Sequence, residues 1–456
     1  MTRRLPALGL AVLAAGLLLH NLAMVSLYGL GIEGAALDAI AAWKDAVLVA
    51  AVAVGLWLVR GRIELRLVDW LALAYGALVL LYWLLPQDWL GDGDATARGE
   101  LLAARHHLLP VGGYLLGRVI LEPAAARRLL RPIVAAGAVA LAVWGLIDVY
   151  GVPLSFWRDS AVPGWFRDQL GIGYACFGGL PENWILNSGD ETSPLRRLVS
   201  VFWSPLATSY TLVVVLLGLV AWRPSRLGLA AAVPIGAGLL WTHTRAAFLA
   251  LALGLAVLGL VRRRRGYLVA AAATVAVALV FVQVFPSIAP ATRYTSQELA
   301  CLRDNAAREG ATGDALSSND ASTRSHLRNL RDGVETMLRH PWGYGVGNTG
   351  VTAKRSGVEI KAGESTYTEL GVDLGLAGAL VFIGWLGAMV AGARREPWAV
   401  ASLAALALLA LQSDAIGIPW LAVVVFALGG MAVTEAQPVT TRSTRDGAEQ
   451  KPVMSS

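Results

Sequence analysis

The sequence predicts an all-α polytopic membrane protein with about twelve transmembrane helices and one large loop outside the bilayer. Three observations lead there. The chain is 56% hydrophobic with only 15% charged residues, against roughly 25% charged in a soluble domain, and its mean hydropathy is +0.57. Apolar runs of about 20 residues, the length that crosses ~30 Å of hydrocarbon, recur along the whole chain. Basic clusters punctuate those runs at regular intervals. A transmembrane β-barrel is excluded, because its ~10-residue alternating segments are absent.

Spans are expected at residues 6–30, 36–59, 67–86, 101–121, 131–150, 198–221, 226–242, 246–262, 267–286, 366–392, 397–413 and 416–435. Arg3 and Arg4 precede a run to about Leu30 that is too long for a signal-peptide core and lacks a cleavage site, so it reads as the first span. With twelve spans, Arg3/Arg4, Arg60/Arg62/Arg66, Arg127/Arg128/Arg131, Arg223/Arg226, Arg262 to Arg265, Arg394/Arg395 and Arg442/Arg445 all fall on one side. That is the positive-inside pattern with both termini cytoplasmic. It also accounts for the net charge of +6 without invoking nucleic acid. Residues 1–286 then hold helices one to nine, with an outer loop at 151–197. Residues 287–365 form the large extracytoplasmic loop, 366–435 the last three helices, and 436–456 a disordered cytoplasmic tail.

The large loop is expected to carry short helices. Thr295-Ser-Gln-Glu298 has the form of a capping box ahead of Leu299 and Leu302. Asp320 or Ser322 caps a second helix, with Leu327, Leu330, Val334, Met337 and Leu338 on one face. His340-Pro341 ends it. Arg324, Arg328 and Arg331 project from another face, either over a cavity or toward solvent and lipid headgroups. Cys176 and Cys301 lie in different outer loops and have no metal-ligand spacing; a disulfide and two free thiols are both open. Asp92-Gly-Asp94 has a spacing that holds a divalent cation beside a phosphate, but an acidic surface loop is the commoner reading.

Ionisable groups inside spans are costly and usually face a cavity. Lys44, Asp45, Arg105, His106, His107, Asp148, Arg245, Glu369, Asp373 and Asp414 lie toward the outer ends of their helices, as do His20 and Asn21. This predicts a polar cavity open to one side rather than a path through the membrane. Asp69 and Arg118 sit at inner ends. Arg245, in Thr242-His-Thr-Arg-Ala-Ala-Phe248, starts a span, and its permanent charge suits phosphate oxygens. Glu364 precedes a span, where a carboxylate is favoured as the anion; it reads as a capping group or as a proton acceptor for a sugar hydroxyl. Gly343, Gly345 and Gly347 allow a tight loop close to a ligand, and form neither a P-loop nor a dinucleotide fingerprint.

Taken together, three stretches resemble the O-antigen ligase and polysaccharide polymerase superfamily. Thr244-Arg-Ala-Ala-Phe-Leu resembles its Ser/Thr-Arg-small-aromatic-Leu turn. Arg324 followed by His340-Pro-Trp-Gly-Tyr-Gly-Val-Gly-Asn348 resembles its arginine and His-Pro-x-x-Gly-x-Gly loop. Glu364-Ser365, nine residues and Gly375-Leu-Ala-Gly378 resemble the ligase pattern His-Asn/Ser/Gln, nine residues, Gly-x-x-Gly. The resemblance implies a twelve-span bundle of the membrane-glycosyltransferase type in the bacterial inner membrane. It implies a donor glycan on undecaprenyl diphosphate at the periplasmic face, transfer with inversion, and no metal or cofactor. Arg245 and Arg324 become diphosphate ligands and, with Glu364, the catalytic set. Arg197 or its neighbour Arg196, and Arg328, His340, Gly345, Gly347, Asn348, Tyr367 and Arg105 become substrate-binding candidates. Glu364 stands where the ligases carry histidine. That departure favours a polymerase, whose acceptor is another lipid-linked repeat, over transfer to lipid A-core; a chain-length regulator is a possible partner. The alternatives of another class are a transporter, which predicts mid-membrane polar groups and an internal repeat that the sequence lacks, and a non-catalytic scaffold, which leaves the buried charges without use.

Overall fold

The computed structural model describes residues 2–61, 63–90, 93–174, 176–186, 194–222, 225–309 and 321–435. Asp92, Arg62, Arg223, Asp320 and the tail beyond residue 435 lie outside the described residues.

The chain is a helical membrane protein. Among the described residues, seven segments are long and apolar enough to cross a bilayer: α1 (Leu5–Gly29); α2 (Gly34–Ala41) running into α3 (Trp43–Val59); α4 (Leu67–Leu84); α6 (Pro123–Gly151); α11 (Arg245–Arg262); α12 (Arg265–Ile288); and α16 (Thr366–Gly392). The other five expected segments are also helical. They are α5 (Ala97–Val119), whose charges lower its hydropathy, and the shorter apolar helices α9 (Pro205–Ala221), α10 (Arg226–Trp241), α17 (Pro397–Gln412) and α18 (Pro419–Glu435).

Boundaries differ from expectation where local chemistry overrides hydropathy. Helix α6 starts at Pro123 rather than near 131, because proline at the first turn needs no donor, and it continues through Pro132. Helix α9 starts at Pro205 rather than near 198, because Ser204 caps it through Ala207 N–H at 3.3 Å.

Helix α18 is buried along its length and packs on α5. Gly113, Gly117 and Gly430 permit this: a Cβ on Gly117 would lie 2.1 Å from the Ala427 carbonyl oxygen, and one on Gly430 2.3 Å from that of Tyr114. Small residues spaced by four are how apolar helices approach closely where no hydrophobic effect drives them together. The contact fixes α5, which carries Arg98, Arg105 and His106, against the centre of the bundle.

The segment at 151–197 holds two short helices, α7 (Leu154–Arg158) and α8 (Ala161–Gly164), and a two-residue hairpin, β1 (Ile185–Leu186) with β2 (Leu195–Arg196), registered Ile185↔Arg196. A disulfide joins Cys176 of this segment to Cys301, and Arg158 pairs with Glu298 at 2.7 Å. The 287–365 segment carries α13 (Ser296–Glu309), α14 (Ala321–Arg339) and α15 (Gly350–Ser356). The Thr295/Glu298 capping box is formed: Thr295 N–H donates to Glu298 Oε2 at 2.7 Å, and Glu298 N–H to Thr295 Oγ1 at 3.2 Å.

The apolar stripe on α14 divides. Gly333 packs against Thr368, and Met337 packs over Gly371 of α16, whereas Leu327, Val334 and Leu338 stay exposed.

Candidate active site

A cavity of ≈ 1820 Å³ opens between α1, α3, α5, α14 and α15 and the loop before α18. One part is hydrocarbon, walled by Leu48, Val52 and Leu56 of α3 and by Leu108, Gly112 and Leu115 of α5. The other part is polar. Lys44, Arg98, Arg105, Lys354, Arg355 and Lys361 form a basic wall, and Asn329, Asp332, Glu364, Glu369 and Asp414 line it as well. Arg105 pairs with Asp45 at 2.6 Å and Arg98 with Asp38 at 3.4 Å. Lys44 donates to the Ala41 carbonyl at 2.8 Å and lies 3.1 Å from His20. Burial pushes the Arg355 guanidinium below its ordinary value, and the charges of Arg98 and Arg105 add to this against the pull of Asp38. Six cations, three of them closely paired with Asp38, Asp45 and Asp94, leave a surplus of positive charge on this side that favours an anion.

Glu364 lies on the polar side, immediately before α16. Its φ is +71°, a left-handed conformation that costs a non-glycine residue of order 1–3 kcal/mol and tends to persist at functional positions. The following residues hold that turn. Ser365 Oγ donates to the Ala410 carbonyl at 3.2 Å; Thr366 N–H and Oγ1 donate to that of Ser413 at 3.2 and 3.1 Å. Across the gap His326 of α14 places Nδ1 2.6 Å from Glu364 Oε2. Burial raises the Glu364 pKa, but His326 and Asn329 outweigh it and hold the carboxyl below its ordinary value.

A second charged centre lies behind Ser413. Tyr210 Oη meets Ser413 Oγ at 2.8 Å, and Arg197 reaches this neighbourhood from the loop before α9. Its Nε donates to the Thr242 carbonyl at 2.9 Å and its Nη2 to Thr244 Oγ1 at 3.2 Å. Burial and the charge of Arg245 push Arg197 down to about 10. Two guanidiniums thus stand close together at the start of α11. Arg196, its neighbour in sequence, turns instead to Asp148 at 3.2 Å.

The glycine loop has a different setting. Gly375 breaks α16 with φ +70°, which releases two backbone groups. Tyr344 N–H takes the Val372 carbonyl at 2.8 Å and Leu376 N–H takes that of Pro341 at 2.9 Å. Glycine is required on both sides, since a Cβ on Gly343 would lie 2.5 Å from Gly375 N. Asn348 is fully buried; its amide donates to Gln87 Oε1 at 3.1 Å and to the Gly345 carbonyl at 3.0 Å. Gly347 and Asn348 N–H groups donate to Asp373, which also meets His107 at 3.0 Å.

Of the expected site residues, the cavity gathers Glu364 and Arg105, with Lys44, Asp45, His106, Glu369 and Asp414 from the ionisable set. Arg197 and Arg245 form the neighbouring pair. Arg324 and Arg328 are exposed and do not line the cavity; Asn329, Asp332 and Gly333 do so on the same helix. Helical phase is the reason, since residues 324, 328 and 331 share one face and 326, 329 and 333 another. Gly345, Gly347 and Asn348 clamp the loop, exposed His340 packs at a tilt against Tyr344 with ring centroids 4.5 Å apart, and Tyr367 Oη donates to the Ala407 carbonyl at 2.8 Å. Asp94 pairs with Lys361 at 3.0 Å. Among the described residues no group of three or more His, Cys, Asp or Glu is placed to hold a metal ion. Sequence reasoning missed His326, Arg355 and Lys361. His326 alone carried a signal: three residues before Asn329, it shares that residue's face of an amphipathic helix.

A family model described as O-antigen ligase matches residues 230–383. That stretch runs from α10 to α16 and includes Arg245, Arg324, the glycine loop, Glu364 and the Gly375 break. No curated protein matches the chain.

Proposed function

We propose that this chain, a member of the O-antigen ligase and polysaccharide polymerase superfamily, transfers a glycan from undecaprenyl diphosphate at the periplasmic face of the bacterial inner membrane, and that it polymerises repeat units of an O-antigen or exopolysaccharide. One observation carries the reading: a single cavity is lined by hydrocarbon side chains, by six cations and by Glu364. A lipid with a phosphorylated head and a glycan beyond it presents the same three chemistries.

The roles follow from chemistry and from the resemblance. The resemblance assigns the diphosphate, which leaves with the bonding electrons, to Arg245, beside which Arg197 stands outside the cavity lining; guanidiniums suit it because they bind oxygens in pairs and keep their charge. Arg324 is the third guanidinium that the family resemblance assigns to it. The acceptor enters along the basic wall, where Lys44, Arg105 and Arg355 suit the phosphate of a second lipid-linked repeat. Its attacking hydroxyl is activated at the Glu364 end, on the face of the sugar opposite the leaving group, so the anomeric centre inverts. Neither a metal nor a cofactor has a part in this scheme. The Cys176–Cys301 disulfide supports an oxidising compartment for the two loops, and the clusters from Arg3 to Arg395 support the opposite side as cytoplasmic. Transfer to lipid A-core is the second reading, favoured by the description of the matching family.

The test is made in a deletion strain. Glu364→Ala and Arg245→Ala each lose glycan transfer by 10²-fold or more while the proteins insert at wild-type level; wild-type glycan length and yield in both would defeat the reading. In the deletion strain itself, a single repeat still attached to lipid A-core marks a polymerase, and loss of all glycan from it marks a ligase.

A further inference from the structure

The carboxylate at the mouth of the cavity does not stand alone. His326 comes from α14, an element of the large loop, and meets Glu364 through Nδ1 at 2.6 Å. Two other histidine–carboxylate pairs are described, and both differ. His106–Asp414 at 3.3 Å and His107–Asp373 at 3.0 Å engage Nε2, and the latter is shut in the core at 3% and 0% exposure. His326 and Glu364 keep 34% and 39% of their side-chain surface exposed. A carboxylate this close to Nδ1 favours the tautomer with its proton on that nitrogen, which leaves Nε2 as the basic one. The turn that aims Glu364 at it is held in a left-handed conformation by buried Ser365 and Thr366. Asn329, one turn further along α14, lines the cavity and hydrogen-bonds the same carboxylate.

We infer that His326 is the group that removes the proton from the acceptor hydroxyl, and that Glu364 positions its ring and stabilises its cation. The inference rests on the glycosyl-transfer reading above and deepens it. The acceptor oxygen loses its proton to Nε2 and forms the new bond to the anomeric carbon. The bond from that carbon to the phosphate oxygen breaks, its electron pair leaves with the lipid diphosphate, and the imidazolium then returns its proton to water. A carboxylate that holds an imidazole in one tautomer and stabilises the cation is the arrangement of nucleophile-activating triads. General-base groups contribute typically 10²–10⁴-fold.

Membrane vesicles from the deletion strain, carrying that strain's own lipid-linked glycan and complemented with variants of the full chain, test the assignment by initial rate. His326→Ala and His326→Gln both lose about 10²-fold or more, with melting temperatures at the wild-type value. Glutamine matters because it keeps a hydrogen bond to Glu364 but accepts no proton at neutral pH, so a positioning role would be rescued by it. Glu364→Gln loses less than either, and adding it to His326→Gln costs nothing further. Activity of His326→Gln within threefold of wild type, or a fall in melting temperature that accounts for the losses, overturns the inference. If Glu364→Ala is dead while His326→Ala is active, Glu364 is itself the base and the glycosyl-transfer reading stands. If Arg245→Ala and Glu364→Ala both keep wild-type transfer, that reading fails and this one with it.

Discussion

At one end of the bundle Arg118 closes on Asp69; at the other, His326 meets Glu364 across the mouth of a cavity. The first pair is shut in, with Arg118 and Asp69 at 3% and 4% exposure. Every neighbour completes it. Arg118 donates through Nε and Nη2 to the two carboxylate oxygens at 2.7 and 3.0 Å, to Thr434 Oγ1 at 3.0 Å and to the Glu64 carbonyl at 3.1 Å. Asp69 takes Tyr114 Oη at 2.7 Å and the Arg66 N–H at 2.8 Å. Nothing there is left for a ligand. The second pair is built on a strained turn and keeps a third of its surface open, and its Glu364 lines the cavity while His326 stands at its edge beside Asn329. Buried polar groups in full partnership fix a fold; those with capacity to spare at a cavity carry chemistry.

The largest expected effect breaks the closed pair. Arg118→Ala leaves the Asp69 carboxylate buried without its cation and costs ~3–5 kcal/mol, read as a lower melting temperature and poor insertion. Glu364→Ala, the equivalent cut at the open end, leaves the melting temperature near wild type while transfer is lost. Equal destabilisation by both would erase the contrast. An intermediate effect is expected at Gly375. Alanine there needs φ near +70° and places Cβ 2.7 Å from the Pro341 carbonyl oxygen, a cost of ~1–3 kcal/mol; the melting temperature falls and the glycine loop loosens its hold on α16, seen as faster amide exchange at Tyr344 and Leu376. The smallest effect is the pH dependence of the open pair. Glu364 has its folded pKa below its ordinary value, so its contribution is present above the unfolded pKa and fades as pH falls through the folded one. Melting temperatures of wild type and Glu364→Gln are therefore expected to differ by about a degree or two at neutral pH and to converge as acid protonates Glu364. Divergence that grows toward low pH would reverse the sign.

Much of this was legible in the chain. Apolar runs located twelve helical segments, because hydrocarbon forces every backbone group into a helix and the side chains advertise it. Thr295 and Glu298 announced their capping box, and Glu364, Arg105 and Arg245 stood out because ionisable groups at helix ends near a bilayer are costly. Arg324 and Arg328 were legible as residues but not as positions, since a shift of two residues on a helix turns a side chain to the opposite face.

The sequence by itself determined the helices, the membrane and the residues worth suspecting, for these follow from local composition and the energetic cost of burial. Only the tertiary structure decided which of those residues meet. That α16 breaks at Gly375 to receive the loop from Pro341 to Tyr344 depends on two glycines 32 residues apart in the chain. That Arg197 stands beside Arg245, that Cys176 bonds Cys301, and that Glu364 faces a histidine from α14 depend on how loops fold over the bundle. Contacts between distant segments are set by packing, and packing is not written in any one stretch of the chain.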